Sequence, residues 1–140
     1  MRVLALSDSL APWHSFWIRF GQYAPALSEA VEIGQTVEAI DRLGYGDQLL
    51  IYRYALAWGD LTARLRAARQ RGVTILSDVD DYLWQANGWN RERLLGCTRV
   101  LRQCHAISCS TTALQLQLQV VRMQKALARV WHRFAYTSHP

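Results

Sequence analysis

Three carboxylates, Asp78, Asp80 and Asp81, fall within four positions in the stretch TILSDVDDYLWQ, and Leu83 and Trp84 follow almost at once. Clustered carboxylates at the end of an apolar run suit two chemistries. With a divalent cation to offset their charge, one Asp can attack phosphorus while a second handles the leaving-group proton. Without a metal, carboxylates accept hydrogen bonds from sugar hydroxyls and an aromatic ring stacks on a sugar face. A structural role is open to each residue as well: Asp78 or Asp80 as a backbone cap, Trp84 as core.

The elements around the aspartates decide what they can reach. Apolar runs at 2–6, 30–34, 47–55, 73–78 and 105–110 read as strands, the third and fourth the clearest. Between them, HSFWIRFGQYAPAL has helical spacing made irregular by Gly21 and Pro25, and QTVEAIDRLG predicts a turn or short helix. GDLTARLRAARQRG predicts a helix capped by Asp60, with Leu61, Leu65 and Ala68 on one face and Gly72 as its stop. Another helix is expected to open near Asn90, with Leu94, Leu95, Thr98 and Leu101 inward. Strands alternating with helices imply parallel pairing through right-handed crossovers, hence a single Rossmann-like α/β domain, a parallel sheet with helices on both faces. Ligands in such sheets bind outside the carboxyl ends of the strands. Those ends hold Ser7, Asp8 and Ser9, then Arg53, then Asp78, Asp80 and Asp81, then Ser110 and Thr111, the last two also suited to a helix cap.

Charge is unevenly distributed along the 140 residues. Residues 1–60 carry four Arg against seven acids, whereas residues 61–140 carry eleven Arg and one Lys against four acids. The basic half fits an anionic partner or a solvated surface. Its arginines are scattered over several helices and form no stripe with aromatics, so nucleic acid is not expected. Cys97, Cys104 and Cys109 match no zinc or disulfide spacing and read as reduced, mostly buried thiols. Ser7 and Asp8 interrupt the first apolar run before it reaches a signal-peptide core, and no run approaches a membrane span. A cytoplasmic location is the expectation. From Leu116 a stripe of Leu116, Val120, Met123, Leu127, Val130 and Phe134 predicts a long C-terminal amphipathic helix. Arg122, Lys125, Arg129 and Arg133 lie on another side of it, a candidate partner or membrane face. Residues 1–115 are thus expected to form the domain and 116–140 the basic helix and tail.

Three motifs in order carry a family resemblance. Asp47 and Arg53 frame DQLLIYR; Gly72, Asp78, Asp80, Asp81, Leu83 and Trp84 punctuate GVTILSDVDDYLW; Ser110, Thr111 and Leu114 end CHAISCSTTAL. In this order they resemble the N-terminal, acceptor-side domain of retaining GT-B glycosyltransferases of the glycosyl transferase family 4 type. The likeness covers roughly residues 1 to 115 and is strongest over 47–114. Cys104-His105 stands where that family has Ala-Asp, and the family's continuation into another strand and a P-N-G turn does not follow. Nor does the C-terminal domain that binds the nucleotide sugar. The resemblance implies an acceptor-side wall of Ser7, Asp8, Ser9, Arg53, Asp78, Asp80, Asp81, Trp84, Ser110 and Thr111, with no metal and no cofactor. It also implies inactivity without a donor-binding half.

The partners expected are therefore a donor-domain chain or a second copy, a sugar or glycolipid acceptor, and peripheral contact with a membrane. A non-catalytic structural or interaction subunit built on the same fold is the alternative. The aspartates also resemble the haloacid-dehalogenase phosphatases, with Asp78 as nucleophile and Asp80 as acid/base. Against that, Tyr82 stands where those enzymes have Thr, and downstream of Asp81 Glu92 is the only carboxylate left to complete a magnesium site.

Overall fold

A computed structural model of the chain describes residues 1–7, 11, 16–17, 31–52, 55, 61–79 and 91–109. Its elements are β1 (Val3–Leu6), β2 (Val31–Gly34), a 3-10 helix (Val37–Arg42), β3 (Gln48–Tyr52), α1 (Leu61–Gln70), β4 (Thr74–Val79), α2 (Arg91–Leu101) and β5 (Ala106–Cys109). The five strands form one sheet in the order β2-β1-β3-β4-β5. β1 pairs in parallel with both β2 and β3, and β3 with β4. The fold is α/β with a Rossmann-like parallel sheet. Chain direction across the sheet reverses between β1 and β3, the place where such sheets open a crevice.

Both faces of the sheet are apolar, as a parallel sheet requires. A Cβ placed on Gly34 would lie 3.2 Å from both Leu4 and Leu6 and 3.6 Å from Ala39, so those leucines point toward the 3-10 helix. Leu49, Ile51 and Ile75 stand in the same rows, and all are buried. The 3-10 helix touches α1 and α1 touches α2, so the three cover this face together. Ala5 alternates to the opposite face, where it packs with Phe16 and Tyr52.

The end of α1 shows why Gly72 is needed. The Val73 amide donates to Ala68 O (3.1 Å) and the Gly72 amide to Arg69 O (3.0 Å), a Schellman closure that takes Gly72 to φ +83°. Val73 and Ala68, the pair such a closure brings together, are both buried. The Arg71 side chain then donates to Leu43 O and Ile40 O, both at 2.9 Å, tying this turn to the end of the 3-10 helix.

Asp47 is a structural clamp at the amino edge of the sheet. Its Oδ1 accepts the Arg2 amide at 2.8 Å, and its Oδ2 accepts the Gly44 amide and Arg2 Nη2, both at 3.0 Å. The Gly44 and Arg2 amides, aided by the Arg2 guanidinium and opposed by burial, lower its pKa from 3.8 to about 2. Because the folded value lies below the unfolded one, this contribution is fully present above 3.8 and is lost as pH falls through about 2. Wild type should therefore exceed Asp47→Asn in urea midpoint at neutral pH, with the gap closing as pH falls through that window. A gap independent of pH would contradict the assignment.

Several expectations are corrected. The third strand does not run to residue 55: it ends at Tyr52, and Ala55 lies in a 3-10 turn. In α2, Leu95 is 46% exposed and Thr98 only half-buried, whereas Cys97, Val100 and Leu101 are buried. The inward stripe is 97, 100, 101 and 104, helical spacing in which cysteine acts as a small apolar residue. Cys97 and Cys104 are buried, as expected, and Cys109 is half-buried. No described helix is long and apolar enough to cross a membrane. By its contacts the chain divides into Met1–Ser108 and Cys109–Pro140. The expected C-terminal helix, with Arg122, Lys125, Arg129 and Arg133, lies outside the described residues.

Candidate functional site

Ser7 and Asp78 are the described part of the expected site, and the structure adds Tyr52 to them. β3 and β4 pair with Tyr52 opposite Asp78, and continuing the β1–β3 register by one residue places Ser7 beside Tyr52. One row thus crosses the carboxyl ends of β1, β3 and β4 at the reversal point. Side chains in such a row share a face. Ser7, Tyr52 and Asp78 are each 0% exposed. The Phe16 ring closes over Tyr52, centroids 5.3 Å apart and planes tilted by 58°. The Ser7 amide donates to Gly34 O at 3.1 Å, which ties the end of β1 to β2.

Burial limits what Asp78 can do. A carboxylate with no solvent access can accept hydrogen bonds and fix neighbours, but it gives an incoming phosphoryl group no path. Ser77, next to it, shares the rows of Leu6 and Ile51 and so faces the helices, away from the site. An open groove of about 450 Å³ reaches the row, lined by Val3, Leu50, Leu76 and Ile107, with Gln48, Ser77, Asp78 and Ser108 among its polar residues, although Asp78 itself has no solvent-exposed surface. That volume is within the range of small-ligand sites.

His105 ties the start of β5 to β4. Its amide donates to Ile75 O at 2.7 Å, and its Nδ1 accepts the Ile75 amide at 2.9 Å. The imidazole therefore serves as a hydrogen-bond acceptor for the β4 backbone.

Asp8, Ser9, Arg53, Asp80, Asp81, Trp84, Ser110 and Thr111 lie outside the described residues. The strands that precede them fix one point: β3, β4 and β5, which bear the three motifs, are consecutive neighbours in the sheet. Tyr52 and Phe16 were not singled out by residue type. The signal for Tyr52 was register, since a strand starting at Gln48 and another at Thr74 bring Tyr52 level with Asp78. Among the described residues no group of three or more His, Cys, Asp or Glu could hold a metal ion. Compared with models of protein families, with curated proteins and with solved structures, the chain gives no significant match.

Proposed function

We propose that this domain is the acceptor-side half of a GT-B-type glycosyltransferase, dependent on a donor-binding half for activity. The observation that carries the reading is the adjacency of β3, β4 and β5, each leading into one of the three motifs, beside the reversal point at β1. On this reading Arg53, Asp80, Asp81 and Trp84, which come after β3 and β4 in the sequence, contact the acceptor, and Ser7, Tyr52 and Asp78 hold the strand ends from which they lead. Glycosyl transfer needs an acceptor hydroxyl held in line and a diphosphate leaving group stabilised by cations or helix N-termini. The first task suits these residues; the second falls to the donor half.

Octyl glucoside and simple disaccharides serve as acceptor probes. They should change the tryptophan fluorescence of the full chain, and Trp84→Phe should remove most of that change while leaving the melting temperature near wild type. An unresponsive, well-folded protein would count against the reading.

The complete burial of Ser7 and Asp78 favours a second reading, a non-catalytic subunit that keeps the fold for assembly. In that case sugars leave the protein unaffected while it forms a stable oligomer or hetero-complex. The same burial weighs against the phosphatase reading, whose nucleophile would be Asp78.

A further inference from the structure

We propose that the outward surface of α1 and α2 is a docking face for a protein partner that presents an acidic surface with an apolar pocket. The two helices touch one another on one face of the sheet, and the Arg69 side chain links them by donating from Nη1 to Gln103 O at 2.7 Å. Arg66 and Arg69 on α1 and Arg99 on α2 are exposed, and Leu95, one helical turn before Arg99, is 46% exposed. Within α1 and α2 the sole acidic residue is Glu92.

These cations differ from the other exposed arginines nearby. Arg64 is paired with Glu38 and Asp41, Arg42 with Glu32, and Arg2 with Asp47. Arg66, Arg69 and Arg99 have no ion pair among the described residues, so their charge is available to a partner. Guanidinium forks match carboxylates, and arginine around an apolar anchor is the anatomy of a protein interface.

Other anionic occupants fit less well. The apolar sides of both helices, Leu61, Leu65 and Ala68 on α1 and Cys97, Val100 and Leu101 on α2, are buried, and among the described residues of the two helices Leu95 is the one large apolar side chain exposed to a bilayer. Neither helix carries an aromatic residue on which a base could stack. Among the described residues the exposed acids Glu32, Glu38 and Asp41 are already paired with arginines of their own chain and Glu92 lies on α2 itself, which disfavours a second copy as the occupant. The inference is independent of the acceptor-side reading.

The test uses the full chain and a fluorescein-labelled peptide of glutamates interspersed with leucines, followed by anisotropy. Binding should weaken as salt rises. Arg66→Glu combined with Arg99→Glu should weaken it at least about ten-fold, and Leu95→Ala about five-fold. Arg19→Glu combined with Arg42→Glu makes the same net-charge change outside α1 and α2 and should leave affinity near wild type. If the first pair fails to fold by circular dichroism, Arg66→Gln with Arg99→Gln replaces it. Equal loss in both charge-reversal pairs, wild-type affinity in the α1/α2 variants, or tighter Arg66- and Arg99-dependent binding to phosphatidylserine vesicles or a single-stranded DNA would overturn the proposal. So would self-association abolished by the α1/α2 variants.

Discussion

Tyr52→Ala is expected to lower the unfolding free energy by about 3–5 kcal/mol, the range for truncating a fully buried aromatic residue. Tyr52 is 0% exposed and sits where three structural demands meet: the end of β3, the register position opposite Asp78, and contact with Phe16. Its loss opens a cavity beside a buried carboxyl, and the parallel strands around it cannot close in without breaking register. Since a domain of this size is stable by roughly 5–15 kcal/mol, the variant should be near its folding limit at 37 °C. Tyr52→Phe keeps the ring and should cost far less, which separates packing from the hydroxyl. A double-mutant cycle with Phe16→Leu should return a coupling of about 0.5–1.5 kcal/mol for the tilted ring pair. Urea unfolding with an unchanged slope is the measurement. A cost below about 1 kcal/mol for Tyr52→Ala would show that this row does not hold the strand ends, and would remove the support it gives to the proposed site.

Gly72→Val should cost about 2–4 kcal/mol, from two sources that can be separated. A left-handed backbone costs an L-residue roughly 1–2 kcal/mol, and a β-branched one most; Gly72 is at φ +83°. The added Cβ would also stand 2.6 Å from Tyr45 Cδ2. Tyr45 is 93% exposed, so its ring can swing away, and the steric part should be the smaller. Gly72→Val in a Tyr45→Ala background should therefore regain only a minor fraction of the loss. Gly72→Asn, which tolerates this backbone region better, should cost less than Val. Full recovery in the Tyr45→Ala background would place the strain in the ring contact and not in the backbone.

Legibility followed the range of the forces involved. Strand and helix positions could be read because apolar period and stop signals act locally. Gly72, placed by the sequence at the end of α1, has the positive φ and Schellman bonds that such a stop requires. The inward side of α2 was misread because leucines outrank cysteine on any hydropathy scale, whereas the packing uses Cys97, Val100, Leu101 and Cys104. The 3-10 helix at Val37–Arg42 was legible only as a turn or helix, since its end is fixed by Arg71 from a distant part of the chain. Asp47 was visible as a motif residue. Its work as a clamp needed Arg2, 45 residues away in sequence.

The sequence by itself determined the α/β class, the succession of the described strands and helices, and the polar residue types at the strand ends. Each of these depends on residue type and near neighbours. Only the tertiary structure decided that β1 lies between β2 and β3, that Tyr52 stands level with a wholly buried Asp78, and that α1 and α2, the helices carrying Arg66, Arg69 and Arg99, touch one another. Register and strand order arise from contacts between segments tens of residues apart, and spacing along one chain does not encode which face of one segment will meet which face of another.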